Sequence, residues 1–545
     1  MTSAARASTF PEAEMRMTGT QSTAKLFPRI GSLHHSIATK NLEAQNFFDQ
    51  GLTLVYAFNF EEAVRSFEQA AELDSHSPMP YWGIALANGP SYNGGVFNSP
   101  ARTRAAFAAI NTAIQLCTDA PENERSYVNA LARRFTDSPS VDPWKLARDY
   151  SAAMRDLSRR YPDDPDAASL YAESLMDLAP GHLWTFDGKP GENTPEIVST
   201  LEGVLTRWPN HLGANHFYIH TMEASPSPDR ALPSAHRLET LAPAAGHLVH
   251  MPAHIYFRVG DYAAAVKSCL AAAEVDRNYA RETTVPNKSY ELAYAEHNLS
   301  FLVAAANMDG EFAIAEHAAI ELRTRFQTSL PQQHWRESSL AQSLFVLLRF
   351  AKWDDILELS PPEENLRGLT FFWHFARGCA LTAKGEAQRA QSERDEMERI
   401  FKKLDTNELF GMLGSWASLH KLAAAVMDAR IAAAHGDMAT AITQWRAAVA
   451  EQDQVARDDF YRELSSWYYP IRESLAAALF RSGQTNEAEK VFREDLSKNF
   501  RNPHSLFGLQ LVLVAQRKTV EAKQIESQFE TGWKGVDSHL RIESF

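Results

Sequence analysis

The stretch QNFFDQGLTLVYAFNFEEAVRSFEQAAELD, residues 45–74, decides the fold. Its first half places a large residue, Phe47, four positions before a small one, Gly51, and its second half places Ala63 and Phe67 four apart. Residues four apart lie on one face of an α-helix, so each half predicts an amphipathic helix. Two such helices in succession predict a helical hairpin.

This hairpin pattern recurs along the chain. Each copy has Gly or Asp-Gly where its two helices meet, a position at which the backbone needs a residue that tolerates positive φ. Apolar residues follow the helical period, helix formers dominate, and strand signals are almost absent. The clearest further copies lie at 305–320, 375–390, 429–450 and 473–492.

The spacing closely resembles the tetratricopeptide repeat, a helical hairpin of about 34 residues. Besides residues 45–74, Ala231 and Pro243 match the alanine and the proline of the family pattern, and Ala265 occupies the alanine position of the next repeat. The resemblance implies an all-α solenoid of stacked antiparallel helical hairpins that forms a right-handed superhelix. At about 34–45 residues a hairpin, we expect on the order of a dozen of them.

We expect a flexible N-terminal arm over residues 1–25, followed by a single continuous superhelix over 26–545. Within it, 166–305 is expected to form a histidine-rich groove segment and 335–535 the C-terminal repeats. Insertions rich in Gly, Pro, Asn and aromatic residues have the composition of ordered loops, which gather on one face of a solenoid and often form its binding face. They lie at 88–102, 179–195 and 277–289.

The composition excludes several classes of protein. Of 545 residues, 45% are hydrophobic and 22% charged, as in folded soluble proteins. The net charge of −14 argues against nucleic acid or an anionic membrane as a partner. No apolar stretch is long enough to span a bilayer. The three cysteines, Cys117, Cys269 and Cys379, are too few for a disulfide framework, so we expect a reducing, cytoplasmic location and leave the oligomeric state open.

Histidines repeat in register with the hairpins. His216 and His250 occupy one repeat position, and His220 and His254 occupy a second position one helical turn later. Within each pair the spacing is i, i+4, which places both rings on one helix face. Two more histidines, His247 and His297, share a third position.

These positions point to one side of the first helix of each repeat, the side that lines the concave groove in tetratricopeptide-repeat proteins. Since neighbouring helices pack about 8–10 Å apart, we expect His216, His220, His250 and His254 to form a square on the groove wall. His247, His297 and Glu223 are expected at its edge. One repeat earlier, Glu173 falls at the position of His220.

Imidazoles and carboxylates are ligands that divalent Zn, Fe, Cu and Mn share. We therefore predict that the six histidines bind such a metal, although helix spacing can also keep the pairs from sharing one ion. Glu223 or Glu173 would be a ligand, an orienting partner of a ligand, or a general base that handles protons in catalysis. The alternative for the histidines is a surface that contacts a peptide or substrate.

Four other residues are candidates for substrate binding. Arg258 faces the groove obliquely and would bind an anionic group, or else form a salt bridge with Glu223 or Asp261. Trp184, Tyr92 and Asn93 lie in the insertions and would cap the groove over a small molecule; their alternative role is loop packing.

The string GHLVHMPAHIYFRVGDYAAAV (246–266) resembles a family of long bacterial proteins made only of tetratricopeptide repeats, together with GANHFYIHTMEAS (213–225), YWGIALANGP (81–90) and WYYPIRESLAAALFRSGQTNEAE (467–489). The similarity covers nearly the whole chain after about residue 30. It implies the fold and no reaction. Where peptide-binding adaptors of the carboxylate-clamp type have Lys, Asn and Arg, this chain has His and Glu.

Two functions remain open from the sequence. The first is a metal-dependent enzyme that acts, oxidatively or hydrolytically, on a small organic molecule in the groove. The second is a non-catalytic scaffold whose groove binds a partner peptide or protein. A metal site uses most of the six histidines, whereas peptide binding gains little from them, so the sequence favours the enzyme.

Overall fold

The structure, a computed structural model, describes residues 24–93, 99–138, 140–283, 286–326, 337–406, 415–458, 467–533 and 540–545. All but the last two residues of the expected arm over 1–25 lie outside the described residues. Within these ranges the chain is helical, and extended pairing is limited to isolated bridges such as that between Trp184 and Pro190. The prediction of an all-α fold of helical hairpins is confirmed.

Residue contacts divide the chain into two compact units, Met1–Ile255 with Leu270–Asn298, and Tyr256–Cys269 with Leu299–Phe545. The expected single superhelix over 26–545 remains a prediction. The helices as far as His250 are α1 (Leu42–Tyr56), α2 (Phe60–Leu73), α3 (Pro78–Ala87), α4 (Pro100–Leu116), α5 (Glu122–Leu131), α6 (Pro143–Arg160), α7 (Pro165–Met176), α8 (Thr194–Arg207), α9 (Leu212–Met222), α10 (Leu232–Leu241) and α11 (Gly246–His250).

The helices that follow continue the series of hairpins, and a π-helical turn at Glu291–Ala295 leads into the one that begins at Glu296. They are α12 (Pro252–Val259), α13 (Tyr262–Glu282), α14 (Lys288–Tyr290), α15 (Glu296–Asp309), α16 (Phe312–Phe326), α17 (Glu337–Arg349), α18 (Trp353–Glu358), α19 (Arg367–Ala383), α20 (Ala387–Phe401), α21 (Trp416–Ala434), α22 (Met438–Asp458), α23 (Arg472–Arg481), α24 (Thr485–Lys498), α25 (Pro503–Ala515) and α26 (Thr519–Gly532).

Small residues set the close approach of the helices. The ring of Phe67 on α2 lies between Gly51 on α1 and Gly83 on α3, where an added Cβ would come within 2.6 and 2.5 Å of it. The C-terminal repeats reuse this arrangement, since a Cβ at Gly508 on α25 would lie 2.1 Å from the ring of Phe492 on α24. The pairing of a large with a small residue is therefore a packing requirement.

The turns between paired helices need a left-handed backbone conformation. Gly385, between α19 and α20, has φ 78°, and Gly436, between α21 and α22, has φ 81°. The corresponding residue between α1 and α2 is Phe58, with φ 55°. In a non-glycine residue this conformation costs about 1–2 kcal/mol. Surrounding contacts therefore have to hold its side chain in place.

In the first unit, the α1–α2 hairpin contacts helices that are distant in the sequence. The C-terminal end of α1 packs against α9. The hydroxyl of Tyr279 donates to Glu62 on α2 at 2.9 Å, and the side-chain amide of Asn287 donates to Asn59 at 2.8 Å. The hairpin therefore lies over the repeats that carry the histidines and closes this part of the unit.

The second unit has one continuous hydrophobic core from α17 to α26. Phe345, Phe371, Phe372, Trp416 and Trp467 are buried in it. Residues of the predicted C-terminal repeats, 335–535, that the structure describes are helical hairpins of this unit.

Candidate metal centre

All six predicted histidines lie together in the first unit, on four helices. Helix α9 carries His216 and His220, and α11 carries His247 and His250. His254 lies near the start of α12, and His297 near the start of α15. Five of the rings are at most 4% exposed, and His297 is half-buried. Their predicted position on a groove wall stays a prediction, and Tyr56 and Phe58 of the first hairpin contact the rings of His216, His220 and His247.

The histidines form two groups of three rather than a square of four. The first trio is His216, His220 and His247, and the second trio is His250, His254 and His297; in each, one ligand atom per residue lies within 4.8 Å of the other two. His247 and His297, which were expected at the edge, complete the trios.

In the first trio, His216 and His247 turn their Nε2 atoms toward each other. His216 Nε2 lies 3.2 Å from His247 Nε2. The other nitrogen of His216, Nδ1, lies 2.6 Å from the carbonyl oxygen of Tyr56 at the end of α1. A carbonyl only accepts, so Nδ1 carries the proton and Nε2 presents a lone pair. Within the described residues, the buried Nε2 of His220 has no hydrogen-bond partner.

The second trio has the same arrangement. His254 Nε2 lies 2.9 Å from His250 Nε2 and 3.3 Å from His297 Nε2. Zn–N bonds of about 2.0–2.1 Å in tetrahedral geometry place two ligand nitrogens about 3.3 Å apart. Separations of 3.2 and 3.3 Å in the two trios thus suit two ligands of one ion, and the 2.9 Å separation is somewhat short.

Glu223, directly after α9, connects the trios. Its Oε1 lies 2.9 Å from His220 Nδ1, and its Oε2 lies 2.5 Å from His254 Nδ1. Burial by itself raises the pKa of Glu223, but the charge of His254 and the hydrogen bonds from both rings hold it below its ordinary value. Each oxygen of this carboxylate accepts one N–H group, from His220 and from His254. Of the three predicted roles for Glu223, this geometry matches the orienting one.

Burial favours the neutral form of four of the imidazoles. Loss of solvent, and then the neighbouring imidazoles, lower the pKa of His216, His247 and His250 well below the ordinary histidine value. Burial, followed by the charge of His254, lowers the pKa of His297 to about 3. Neutral imidazole is the form that binds a metal ion, so these rings are in the ligating state at neutral pH.

Aromatic rings that were not predicted as part of the site lie against the first trio. The ring of Phe58 lies 4.6 Å from that of His216 and 5.4 Å from that of His247 between centroids. The ring of Tyr294, in the π-helical turn, lies 4.8 Å from that of His247. The one signal in the sequence was Phe58 itself, a bulky residue at a turn position where several other hairpins have Gly.

Glu173 lies near the first trio but outside both groups. It is 6% exposed on α7, and its carboxyl receives a hydrogen bond from the backbone of Tyr92, whose ring packs 5.5 Å from that of His220. Burial and the neighbouring Asp177 raise the pKa of Glu173 well above its ordinary value. Asp177 is itself paired with buried Arg134. Glu173 therefore holds its proton more tightly than a solvent-exposed carboxyl group does.

The structure does not bring the four predicted substrate-binding residues together into one group. Tyr92 is buried against His220, and Asn93 follows it half-buried. The indole of Trp184 donates to the carbonyl of Thr221 at 2.6 Å and so packs on the end of α9. Arg258 belongs to the second compact unit, so the structure does not group it with the histidines.

A further group of potential ligands is explained by hydrogen bonding. His35, Asp164 and Asp166 lie close together at the start of α7. Asp166 accepts from His35 Nδ1 at 2.8 Å, from the Tyr56 hydroxyl at 2.6 Å and from His211 Nε2 at 3.0 Å. Protein donors thus satisfy this carboxylate.

Comparison with known proteins identifies the repeat. A family model described as tetratricopeptide repeat matches residues 249–279, which contain His250 and His254. These residues form a tetratricopeptide repeat. No curated protein matches the chain.

Solved structures of similar helical proteins cover most of the chain at low identity. A human IFIT1 dimer with m7Gppp-AAAA is 13% identical and covers 91% of each chain, with a TM-score of 0.29. Yeast Tom70 is 12% identical over 89% of this chain and 93% of its own, with a TM-score of 0.28. Naa15/Naa10 bound to HypK-THB is 12% identical over 92% of this chain and 85% of its own, with a TM-score of 0.26.

No helix in the described ranges combines the length and the apolar character needed to cross a membrane.

Proposed function

We propose that this tetratricopeptide-repeat protein binds a divalent transition metal, Zn, Fe, Cu or Mn, through the six clustered histidines. The observation that carries the proposal is the convergence of Nε2 atoms whose partner nitrogens are held by protein acceptors. Tyr56 fixes His216, and Glu223 fixes His220 and His254. A buried Nε2 without a partner, as on His220, loses its hydration, and a metal ion would restore the lost interaction.

We further propose that the metal serves a reaction on a small organic molecule. Three histidines leave a coordination position open, which is typical of catalytic rather than structural metal sites. A metal bound there would act as a Lewis acid or activate water. Glu173, which accepts a hydrogen bond from the backbone of Tyr92 beside His220, would handle protons in this reaction, and a molecule would enter beside half-buried His297.

Elemental analysis tests the metal proposal. The chain should be purified without a histidine tag, and its metal content compared with that of a His220→Asn, His254→Asn double variant. We expect a transition metal in the wild-type protein and its loss from a variant that retains its helical circular dichroism. No metal in the wild-type protein, and no change of melting temperature on adding Zn²⁺, Fe²⁺, Cu²⁺ or Mn²⁺, would end the proposal.

A protein-binding scaffold is the second candidate, and the family match favours it. Tetratricopeptide-repeat arrays commonly bind peptides or helices of partner proteins, and nothing in the comparisons indicates catalysis. Chemical cross-linking of the untagged protein in its native extract tests this candidate. A stoichiometric protein partner whose capture withstands metal chelation would support it, and a chain recovered uncross-linked would oppose it.

A further inference from the structure

The two trios repeat one ligand pattern in successive repeats. In the first trio, His216 and His220 lie four apart on one helix, and His247 comes from the start of the next repeat's first helix. In the second trio, His250 and His254 again lie four apart, and His297 comes from the start of the next repeat. The register that relates His216 to His250 therefore relates the whole first trio to the whole second trio.

The orienting contacts also make the trios equivalent. Each carboxylate oxygen of Glu223 takes the Nδ1 proton of one ring, His220 in the first trio and His254 in the second. These two histidines occupy the same repeat position. One carboxylate thus directs one Nε2 atom into each trio.

The pattern ends after two repeats. The residues that would continue it beyond the second trio are Ser300 and Ala304, neither of which can replace an imidazole ligand. In the preceding repeat, Glu173 occupies the position of His220, and Ser169 that of His216. The chain therefore carries two copies of the ligand set, one after the other.

We propose that the cluster holds two metal ions, one in each trio, as two equivalent sites that share Glu223 as the common orienting group. This inference rests on the proposed metal binding and adds its stoichiometry. Six imidazoles arranged as two complete sets of three suit two ions with open positions better than one ion that would use only half of them.

Titration of the metal-free protein with Co²⁺, followed by its visible absorption, tests the inference. We expect two equivalents to bind. His216→Asn should leave only the second site and His297→Asn only the first, so each variant should bind one equivalent. Melting curves without metal check that each variant is folded, and His236→Asn, at a surface histidine of α10 outside the trios, is the matched control and should bind two.

The outcomes separate this inference from the proposed function. One equivalent in the wild-type protein that both His216→Asn and His297→Asn abolish would indicate one shared ion and overturn the two-site inference alone. One equivalent that only one of these variants abolishes would also overturn it, because a single trio would then bind. No Co²⁺ absorption at any ratio would overturn both the inference and the metal proposal.

Discussion

Glu223 orders the cluster because both of its oxygens accept a histidine N–H. In Glu223→Gln, the amide nitrogen only donates, so one of the two rings loses its acceptor and faces a donor. Since loss of such an orienting contact typically weakens metal affinity by about 10–100-fold, we expect a decrease in this range. Competition with a chromophoric chelator measures it, and Glu192→Gln, at an exposed position, is the control. Equal affinities in the wild-type protein and Glu223→Gln would contradict the orienting role.

Gly246 is a second residue on which the site depends. It begins α11, directly before His247, and an added Cβ would lie 2.0 Å from Asp276 Oδ1 and 2.8 Å from the Tyr290 hydroxyl. That hydroxyl accepts from the backbone N–H of His247 at 3.0 Å. Gly246→Ala should therefore displace these groups and destabilise the protein by about 1–3 kcal/mol, as overpacking does.

Gly203→Ala is the matched control for this prediction. Gly203 is exposed on α8 with no neighbouring atom within 4 Å of an added Cβ, so the change should stabilise by about 0.5–1 kcal/mol through helix propensity. Chemical denaturation measures both variants. If Gly246→Ala were as stable as the wild-type protein, the close packing at the start of α11 would be wrong.

Among the structural elements, the α1–α2 hairpin packs on the first trio through Phe58. Removing this buried ring should cost about 3–5 kcal/mol, as Phe→Ala changes in cores do. Because its φ is 55°, Phe58→Gly should be about 1 kcal/mol more stable than Phe58→Ala. Both variants should lose bound metal to a chelator faster, since water reaches the site.

Phe67→Ala distinguishes loss of the cover from loss of stability. Phe67 is fully buried between Gly51 and Gly83, away from the histidines. This variant should lose similar stability without faster metal release, as measured by denaturation and by stopped-flow chelation. Equal release rates from Phe58→Ala and Phe67→Ala would show that Phe58 is not the cover.

Asp309, at the C-terminal end of α15, makes the stability of the protein depend on pH. Burial, and then the charges of Glu311 and Asp261, raise the pKa of Asp309 to about 6. The folded chain therefore binds this proton more tightly than the unfolded chain, whose value is about 3.9. Stability is highest below that value and falls as the pH rises toward 6.

Asp309→Asn removes this dependence. We expect the melting temperatures of the variant and the wild-type protein to differ little at pH 4.5 and the variant to melt higher at pH 7.5. For Asp355→Asn, at an exposed position on α18, the difference in melting temperature from the wild-type protein should be the same at both pH values. If the melting temperature of Asp309→Asn relative to the wild-type protein were no higher at pH 7.5 than at pH 4.5, the burial of this carboxylate would be contradicted.

At the scale of the whole molecule, the sequence predicted local structure well. The spacing of Phe47 to Gly51, that of Ala63 to Phe67 and the glycine turns predicted hairpins that the structure contains, because these features act within a helix or between neighbouring helices. Repeat register also predicted which histidines share a helix face.

Long-range packing could not be predicted in this way. Helices α1 and α9 contact each other although they are distant in the sequence: Tyr56 and His216 are 160 residues apart. No periodic pattern in the sequence encodes this contact. The contact of Phe58 with His216, His220 and His247 was therefore not predicted. A helical wheel gives the direction of a side chain but not the axial offset between helices, so His247 and His297 were placed at the edge instead of inside the trios.

The central claim is that the Nε2 atoms of the two trios converge on transition metal. Crystals of the untagged protein, grown with Zn²⁺ and measured on both sides of the zinc absorption edge, test it most directly. The account predicts anomalous difference peaks within about 2.0–2.1 Å of the Nε2 atoms of each trio. A map with no peak among the histidines, from crystals that contain the metal elsewhere or in solution, would contradict it.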